Sequence, residues 1–398
     1  MRIAIAMFAA MLALPCGAQQ LDGKIIELSD SRGSGRNAPI ALAYPALGDS
    51  GRYIASDEAS GTRFPVTVGG GEVVIMPINI ATLGTRRVKL RSVDSHSKAS
   101  VRLEKRDGED VIEVYVNGKL FTAYHYSNEN RKPFLWPVLG EGKRSVTRDY
   151  PIGPKEKTDD HIHHVSLYTA YGDVNGVDCW GEGEGSGYQH TNEAEWGSGD
   201  AYGWIRADNV WQDKDRNPVV SEARAYRFYN GPESSRLIDM RITFRADYGD
   251  VRFGDTKEGG LVGVRMADGL REKGGKGLVT TAAGAAGAKA AWGKPAAWCD
   301  YSGRLARLGV RGLAVFDHPT NLRHPTSWHV RDYGLMAANC FGYSHFTDGK
   351  QNGDFTLKSG ESITFFYRVY VHSGDVEESD VAGHYADFAN PPRARWGE

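Results

Sequence analysis

Between Leu237 and Ala246 two classes of residue alternate without a break: Ile238, Met240, Ile242 and Phe244 against Leu237, Asp239, Arg241, Thr243 and Arg245. Successive side chains point to opposite faces only in a β-strand, so this period of two demands a sheet with one buried and one wet face. The same grammar recurs along the chain. Short strand-like runs occur at Gly23–Leu28, Arg63–Val68, Gly71–Ile78, Arg87–Val93 and Ser100–Lys105. Others are Ala223–Asn230, Gly260–Met266, Gly312–Asp317 and Ser362–His372. Val111–Val116 and Leu120–Tyr126 flank Asn117-Gly118, a pair that tolerates the positive φ of a tight hairpin turn.

Helical signals are few. One segment, about Val376–Phe388, follows the capping sequence Ser373-Gly374-Asp375, carries Glu377 and Glu378 early, and stops at Pro391-Pro392. Many short strands with frequent turns predict a mostly β protein built as a large antiparallel sandwich, with few helices. We expect an N-terminal β-module over 19–120, a larger sandwich over 121–375 that carries the site, and a C-terminal helix and tail over 376–398. Two stretches, Pro133–Gly203 and Gly293–Gly342, read instead as long polar, aromatic-rich connections, the usual location of function in a β-protein.

Residues 1–18 read as a secretory signal peptide. Arg2 precedes the uncharged apolar run Ile3–Leu14, and Ala18 stands before the expected cut. The mature protein is then periplasmic or secreted. Of its three cysteines, Cys179, Cys299 and Cys340, none forms a C-x-x-C pair, so neither a structural zinc site nor a disulfide scaffold is indicated. Charge excludes a further class: 48 basic residues against 50 acidic ones leave no footprint for nucleic acid. A mean hydropathy of -0.45 excludes a multi-span membrane protein.

The residues able to do chemistry fall in three groups. Asp159-Asp160-His161-Ile162-His163-His164, if extended, puts His161 and His163 on one face and His164 on the other. Two imidazoles so placed can hold a substrate or a divalent metal, although the sequence specifies no cofactor. Trp328-His329-Val330-Arg331-Asp332-Tyr333 offers His329 as a general acid or base and Arg331 as a rigid donor fork for a carboxylate or a developing oxyanion. Asp255-Thr256-Lys257-Glu258-Gly259-Gly260, between two strands, offers Glu258 as a base with Lys257 beside it. Trp298-Cys299-Asp300-Tyr301 adds a carboxylate and a phenol. No G-x-S-x-G, P-loop or H-E-x-x-H motif is present.

Taken in order, these groups resemble a bacterial family of unknown function labelled PmoA-like, or "methane oxygenase". The resemblance rests on Val146-Thr147-Arg148, Asp160-His161-Ile162-His163-His164 with Ser166-Leu167, Gly172–Asp178 and Trp180. It continues through Gly254–Gly259, Trp298–Gly303, His318-Pro319, Asn321, Pro325, Trp328–Gly334 and Asn339. It spans about residues 120–372. The chain departs at Ile162 and Val165, where the family often has Pro and a basic residue. The literal label suits a multi-span membrane protein, which this composition is not. The resemblance implies instead an exported sandwich similar in shape to sugar-binding, mutarotase-like supersandwiches.

These readings together predict a carbohydrate-active enzyme that cleaves a glycosidic bond by hydrolysis or elimination, with or without a metal. His163, Glu258, Asp300 and His329 are assigned to catalysis, with Glu258 and Asp300 as the carboxylate pair. His161, His164, Trp180, Lys257, Arg265, Tyr301 and Arg331 are assigned to substrate binding. The alternatives are a non-catalytic glycan-binding protein, served by the same aromatics, and a soluble oxygenase with two His and one carboxylate on its metal.

Overall fold

The computed structural model describes residues 21–30, 37–44, 51–79, 84–93, 98–153 and 158–398; the expected signal peptide lies outside them. The chain is mostly β, with two eight-stranded antiparallel sheets and a seven-stranded one. The back sheet runs, in spatial order, Tyr188–Gly197, Tyr202–Gln212, Pro218–Tyr229, Ser235–Arg245, Ser362–Ser373, Gly309–Asp317, Trp298–Leu305 and Gly277–Thr281. The front sheet runs Ser327–Val330, Leu335–Asn339, Gly259–Arg265, Leu167–Tyr171, Phe134–Leu135, Lys119–His125, Val111–Val116 and Val101–Lys105.

Their inner faces share one core. Phe121, Tyr171, Val262 and Trp328 from the front meet Trp211, Ile242, Phe244, Val315 and Tyr367 from the back. The alternation read in Leu237–Ala246 is borne out: Ile238, Met240, Ile242 and Phe244 are buried in this core. Front strands behave differently. Leu167–Tyr171, Gly259–Arg265 and Leu335–Asn339 are buried on both faces. Their outer face is covered by a second apolar cluster of Phe134, Val165, Tyr168, Ala170, Trp180, Leu335 and Ala337. Strands covered on both sides lose the polar half of the alternation, which is why Leu167–Tyr171 and Leu335–Asn339 read as connections. Within Pro133–Gly203 lie Leu167–Tyr171 and Tyr188–Gly197, and within Gly293–Gly342 lie four more.

Two boundaries differ from expectation. The N-terminal sheet holds the strands from Ile25 to Ser92, whereas Val101–Lys105 and Val111–Val116 already belong to the front sheet. Asn117 and Gly118 do take positive φ values, 52° and 76°. Such a hairpin joins neighbouring strands of one sheet, so it cannot mark a module boundary. The C-terminal tail also returns, as Arg393–Trp396 pairs with Ile25–Asp30 and closes the N-terminal sheet. The late helix spans Val381–Ala389, starting after Asp380 at a left-handed φ of 48°. Asp375 instead caps a preceding turn, accepting from the N–H groups of Glu377 and Glu378. Among the described residues no helix is long and apolar enough to cross a membrane.

A buried polar cluster ties adjacent strands of the back sheet. Glu222 accepts from Arg224 Nε at 2.5 Å and Nη2 at 2.6 Å, and from the Trp211 indole at 2.7 Å. Arg224 Nη2 also donates to Gln189 at 3.0 Å. Removing one member leaves the other charge without a counter-charge away from water. Glu222→Ala is therefore expected to lower unfolding free energy by about 3–5 kcal/mol, read by urea denaturation. A loss under about 1 kcal/mol contradicts this reading, because it falls in the range of a surface pair.

Candidate functional site

The site lies on the outer face of the front sheet. A cavity of about 780 Å3 is lined by His161, His163, Gly172, Asp178, Trp180, Gly181, Thr256, Lys257, Glu258, His329, Arg331, Asp332 and Tyr333. Each of the three sequence groups reaches it, across gaps of some seventy to ninety residues. Sheet pairing performs the assembly. Gly259–Arg265 is hydrogen-bonded to Leu167–Tyr171 on one side and Leu335–Asn339 on the other, and Leu335–Asn339 pairs Ser327–Val330. The loops at the ends of these strands therefore meet.

The histidine segment is a turn, correcting the extended reading. The His164 N–H donates to the His161 carbonyl at 2.9 Å, and His161 has a φ of 48°. Two buried arginines hold it. Arg148 donates through Nη1 to the Asp160 carbonyl at 2.7 Å, and through Nη2 to the carbonyls of His161 at 2.7 Å and His164 at 3.0 Å. Arg265 donates to the Asp160 carboxylate at 2.7 Å and lies 4.9 Å from the centre of the Tyr333 ring. Burial alone raises the Asp160 carboxyl, but its bond to His161 and the charge of Arg265 bring it down to about 2.

The turn stacks three rings. The rings of His161, Tyr333 and His164 lie nearly parallel and close together, with centroids 4.6 Å apart for His161–Tyr333, 5.0 Å for His161–His164 and 6.3 Å for His164–Tyr333. His164 is buried behind the cavity, and Arg265 Nη1 stands 3.5 Å from its Nδ1. His164 and Arg265 thus support the site and do not line it, contrary to their assignment as substrate-binding residues. Neutral imidazole is the stable form here: burial first, then the charge of Lys132, brings His163 down to about 4. Burial sends His164 well below its ordinary value.

Lys132 was not singled out from sequence. It is fully buried, donates to the Trp180 carbonyl at 3.2 Å and the Glu182 carboxylate at 2.7 Å, and is shifted downward by burial. Asp178 shapes the neighbouring turn. Its Oδ1 accepts from the N–H groups of Trp180 and Gly181 at 2.8 and 2.9 Å, and its Oδ2 accepts from the Ser186 hydroxyl at 3.2 Å.

On the facing side, the Lys257 ammonium is hydrogen-bonded to Glu258. Burial raises the Glu258 carboxyl, but the bond and charge of Lys257, with the charge of Arg331, hold it below its usual range. The Glu258 carbonyl accepts from the Gly172 N–H at 2.8 Å, and a Cβ on Gly172 would stand 2.5 Å from that oxygen. Only glycine fits that approach. His329 is buried, stacks on Trp180 with centroids 6.1 Å apart, and is brought down to about 3 chiefly by burial. Neither of its ring nitrogens has a well-formed hydrogen bond; the Lys257 carbonyl is an imperfect partner that only slightly offsets burial. The Arg331 guanidinium lies 5.2 Å from the centre of the Trp292 ring and has no carboxylate partner among the described residues.

Asp300 and Tyr301 stand elsewhere, a correction to both assignments. Asp300 is buried in the back sheet, where Oδ2 pairs with His372 Nε2 at 2.7 Å. Its strand belongs to the back sheet, whereas the cavity lies on the outer face of the front sheet, so a Glu258–Asp300 pair does not form there. The Tyr301 phenol accepts from the Glu272 N–H at 2.9 Å and donates to the Asp332 carbonyl at 3.1 Å. It props the loop that carries Arg331. Among the described residues no three His, Cys, Asp or Glu side chains are grouped to hold a metal ion. The three cysteines are free and buried. A second cavity, of about 430 Å3 and lined in part by Trp204, Arg206, Arg241 and Phe366, lies on the outer face of the back sheet and contains none of the sequence-predicted site residues.

The chain belongs to a family of unknown function, DUF6807, whose model matches residues 111–386. No curated protein matches it. A solved glycoside hydrolase family 97 enzyme from Pseudoalteromonas sp., in complex with panose, is 8% identical with a TM-score of 0.27. That match covers 68% of this chain and 34% of the enzyme's chain, so this chain spans about a third of the enzyme's length.

Two outcomes follow from this geometry. Because folding depresses His163 and His329, the unfolded chain takes up protons first. Stability is full above the unfolded value near 6.5, falls as pH drops from there, and levels off below about 3. NMR titration of the imidazoles should find both neutral at pH 6; a midpoint near 6.5 for either contradicts the burial described. Lysine cannot reach three carbonyls, so Arg148→Lys is expected to cost about 2–4 kcal/mol in thermal or chemical unfolding.

Proposed function

We propose that this chain is an exported carbohydrate-active enzyme that cleaves a glycosidic bond by proton transfer within the front-sheet cavity. The observation that carries the reading is the convergence of His163, Glu258, His329 and Arg331, drawn from separate parts of the chain, on one cavity. Structural polar networks bury their members against each other. Here the buried ring nitrogens of His329 have no well-formed hydrogen bond, and the fork of Arg331 has no carboxylate partner among the described residues. The volume suits a small-molecule site. Its surface joins polar groups, which match sugar hydroxyls, to the rings of Trp180 and Tyr333.

Roles follow from charge state. His163 and His329 are neutral near pH 7 and accept protons or hydrogen bonds. Glu258 is a carboxylate held in place by Lys257. Arg331 and Lys257 stabilise negative charge on oxygen as the bond breaks. Lys132, His164, Arg148 and Arg265 act beneath the surface by fixing the turns. The N-terminal Arg2 and Ile3–Leu14 support action outside the cytoplasm. The resemblance to a family similar in shape to sugar-binding sandwiches points to the same substrate class.

Incubating the purified protein with a panel of neutral and acidic glycans tests the reading by product mass. On a responsive glycan, His329→Gln and Glu258→Gln should each lower kcat/KM by about 100- to 10,000-fold with little change in Tm. Unchanged turnover in both variants contradicts the assignment of the site. Binding without cleavage of any glycan favours the non-catalytic alternative.

A further inference from the structure

We propose that the glycan carries a uronate and that its glycosidic bond breaks by β-elimination: Arg331 takes the sugar carboxylate, His329 removes the proton from the adjacent carbon, and Tyr333 protonates the departing oxygen. This rests on the glycan-cleaving reading of the cavity and specifies its substrate and bond-breaking step.

The argument starts from which groups are already engaged. Hydrolysis with two carboxylates needs a pair of acids flanking the bond. Asp300 is away in the back sheet, bonded to His372. Asp178 spends its oxygens on two backbone N–H groups and the Ser186 hydroxyl. Glu258 is bonded to Lys257. Besides the His163 ring and the exposed Asp332 carboxylate, three lining groups lack such engagement among the described residues. They are the Arg331 fork, which lies over the Trp292 face without a carboxylate partner; the His329 ring nitrogens, near which only the imperfectly placed Lys257 carbonyl stands; and the Tyr333 phenol, for which no hydrogen bond is found. All three come from one short strand end and its turn, at alternate positions 329, 331 and 333.

These are the parts an elimination requires. A proton next to a carboxylate becomes removable only when that carboxylate's charge is neutralised, since the electron pair moves toward it. A planar, permanently charged guanidinium does this with two parallel hydrogen bonds. The base must be uncharged, and burial keeps His329 so. The acid must hold its proton at neutral pH, as a half-buried phenol does.

The step balances without water. The C–H bond breaks and its proton goes to a His329 ring nitrogen. The electron pair forms a C=C bond to the carbon bearing the glycosidic oxygen. That C–O bond breaks toward oxygen, which takes the Tyr333 proton. Exchange with solvent then returns His329 to neutral and Tyr333 to phenol. One product fragment ends in an unsaturated uronate, whose conjugated double bond absorbs in the ultraviolet.

The test uses the full mature chain with polygalacturonate, alginate, hyaluronan and, as a neutral control, a soluble β-glucan. Ultraviolet absorbance and product mass are followed together. The expected result is cleavage of at least one polyuronate with the chromophore and no gain of a water's mass, and no cleavage of the glucan. Arg331→Gln should then lower kcat/KM at least about 100-fold, with Arg331→Lys partly restoring it. Tyr333→Phe should lower kcat with KM nearly unchanged. Cleavage with uptake of one water and no chromophore overturns the elimination but leaves the glycan-cleaving reading standing. So does equal activity on the glucan. No cleavage of any polymer here or in the wider panel overturns both.

Discussion

Two buried arginines hold the front-sheet site together. Arg148 satisfies three consecutive-turn carbonyls that no strand partner can reach, and Arg265 fixes the Asp160 carboxylate that begins the same turn. Without them the segment from Asp160 to His164 has no regular structure to set its course. The two are themselves linked: the Arg148 N–H donates to the Arg265 carbonyl at 2.9 Å, and the Arg265 N–H to the Ser166 carbonyl at 2.7 Å. Both guanidinium groups are almost wholly shielded from water, so their charges are balanced by polar groups of the turn and not by solvent. The turn and the end of the strand Gly259–Arg265 form one polar unit.

That unit accompanies a cavity that lies outside the sandwich core. The inner faces of the two large sheets pack against each other through apolar side chains and the buried Glu222–Arg224 cluster. The front sheet is covered on its outer face as well, by Trp180, Tyr168 and their neighbours, and the cavity opens where that cover ends. Low polarity around His163 and His329 keeps them neutral. It also strengthens each electrostatic contact that a ligand makes there. Lys132 contributes from below, where its buried charge disfavours protonation of His163.

Much of this was legible in the sequence. Strand alternation gave the class of fold, because a back sheet with one wet face preserves the period of two. Composition singled out His161, His163, Lys257, Glu258, His329 and Arg331, all of which line the cavity. Three kinds of fact were not legible. Front strands covered on both faces show no alternation, so Leu167–Tyr171 and Leu335–Asn339 passed for connections. The side of a strand on which a polar residue falls depends on register, which put Asp300 with His372. Backbone capping by Arg148 and the buried Lys132 leaves no local pattern at all. Asp178 did carry a signal, an aspartate three residues before Gly181, since such a side chain turns the chain by accepting its N–H groups.

The central claim is that the front-sheet cavity receives a glycan, with Arg331 at its acidic group. A crystal structure of the His329→Gln variant with a short oligouronate tests it directly. The account predicts a sugar carboxylate paired with the Arg331 fork and the adjacent C–H directed at position 329. An oligouronate bound instead on the outer face of the back sheet, beside Trp204 and Arg206, with the front-sheet cavity empty, would contradict it.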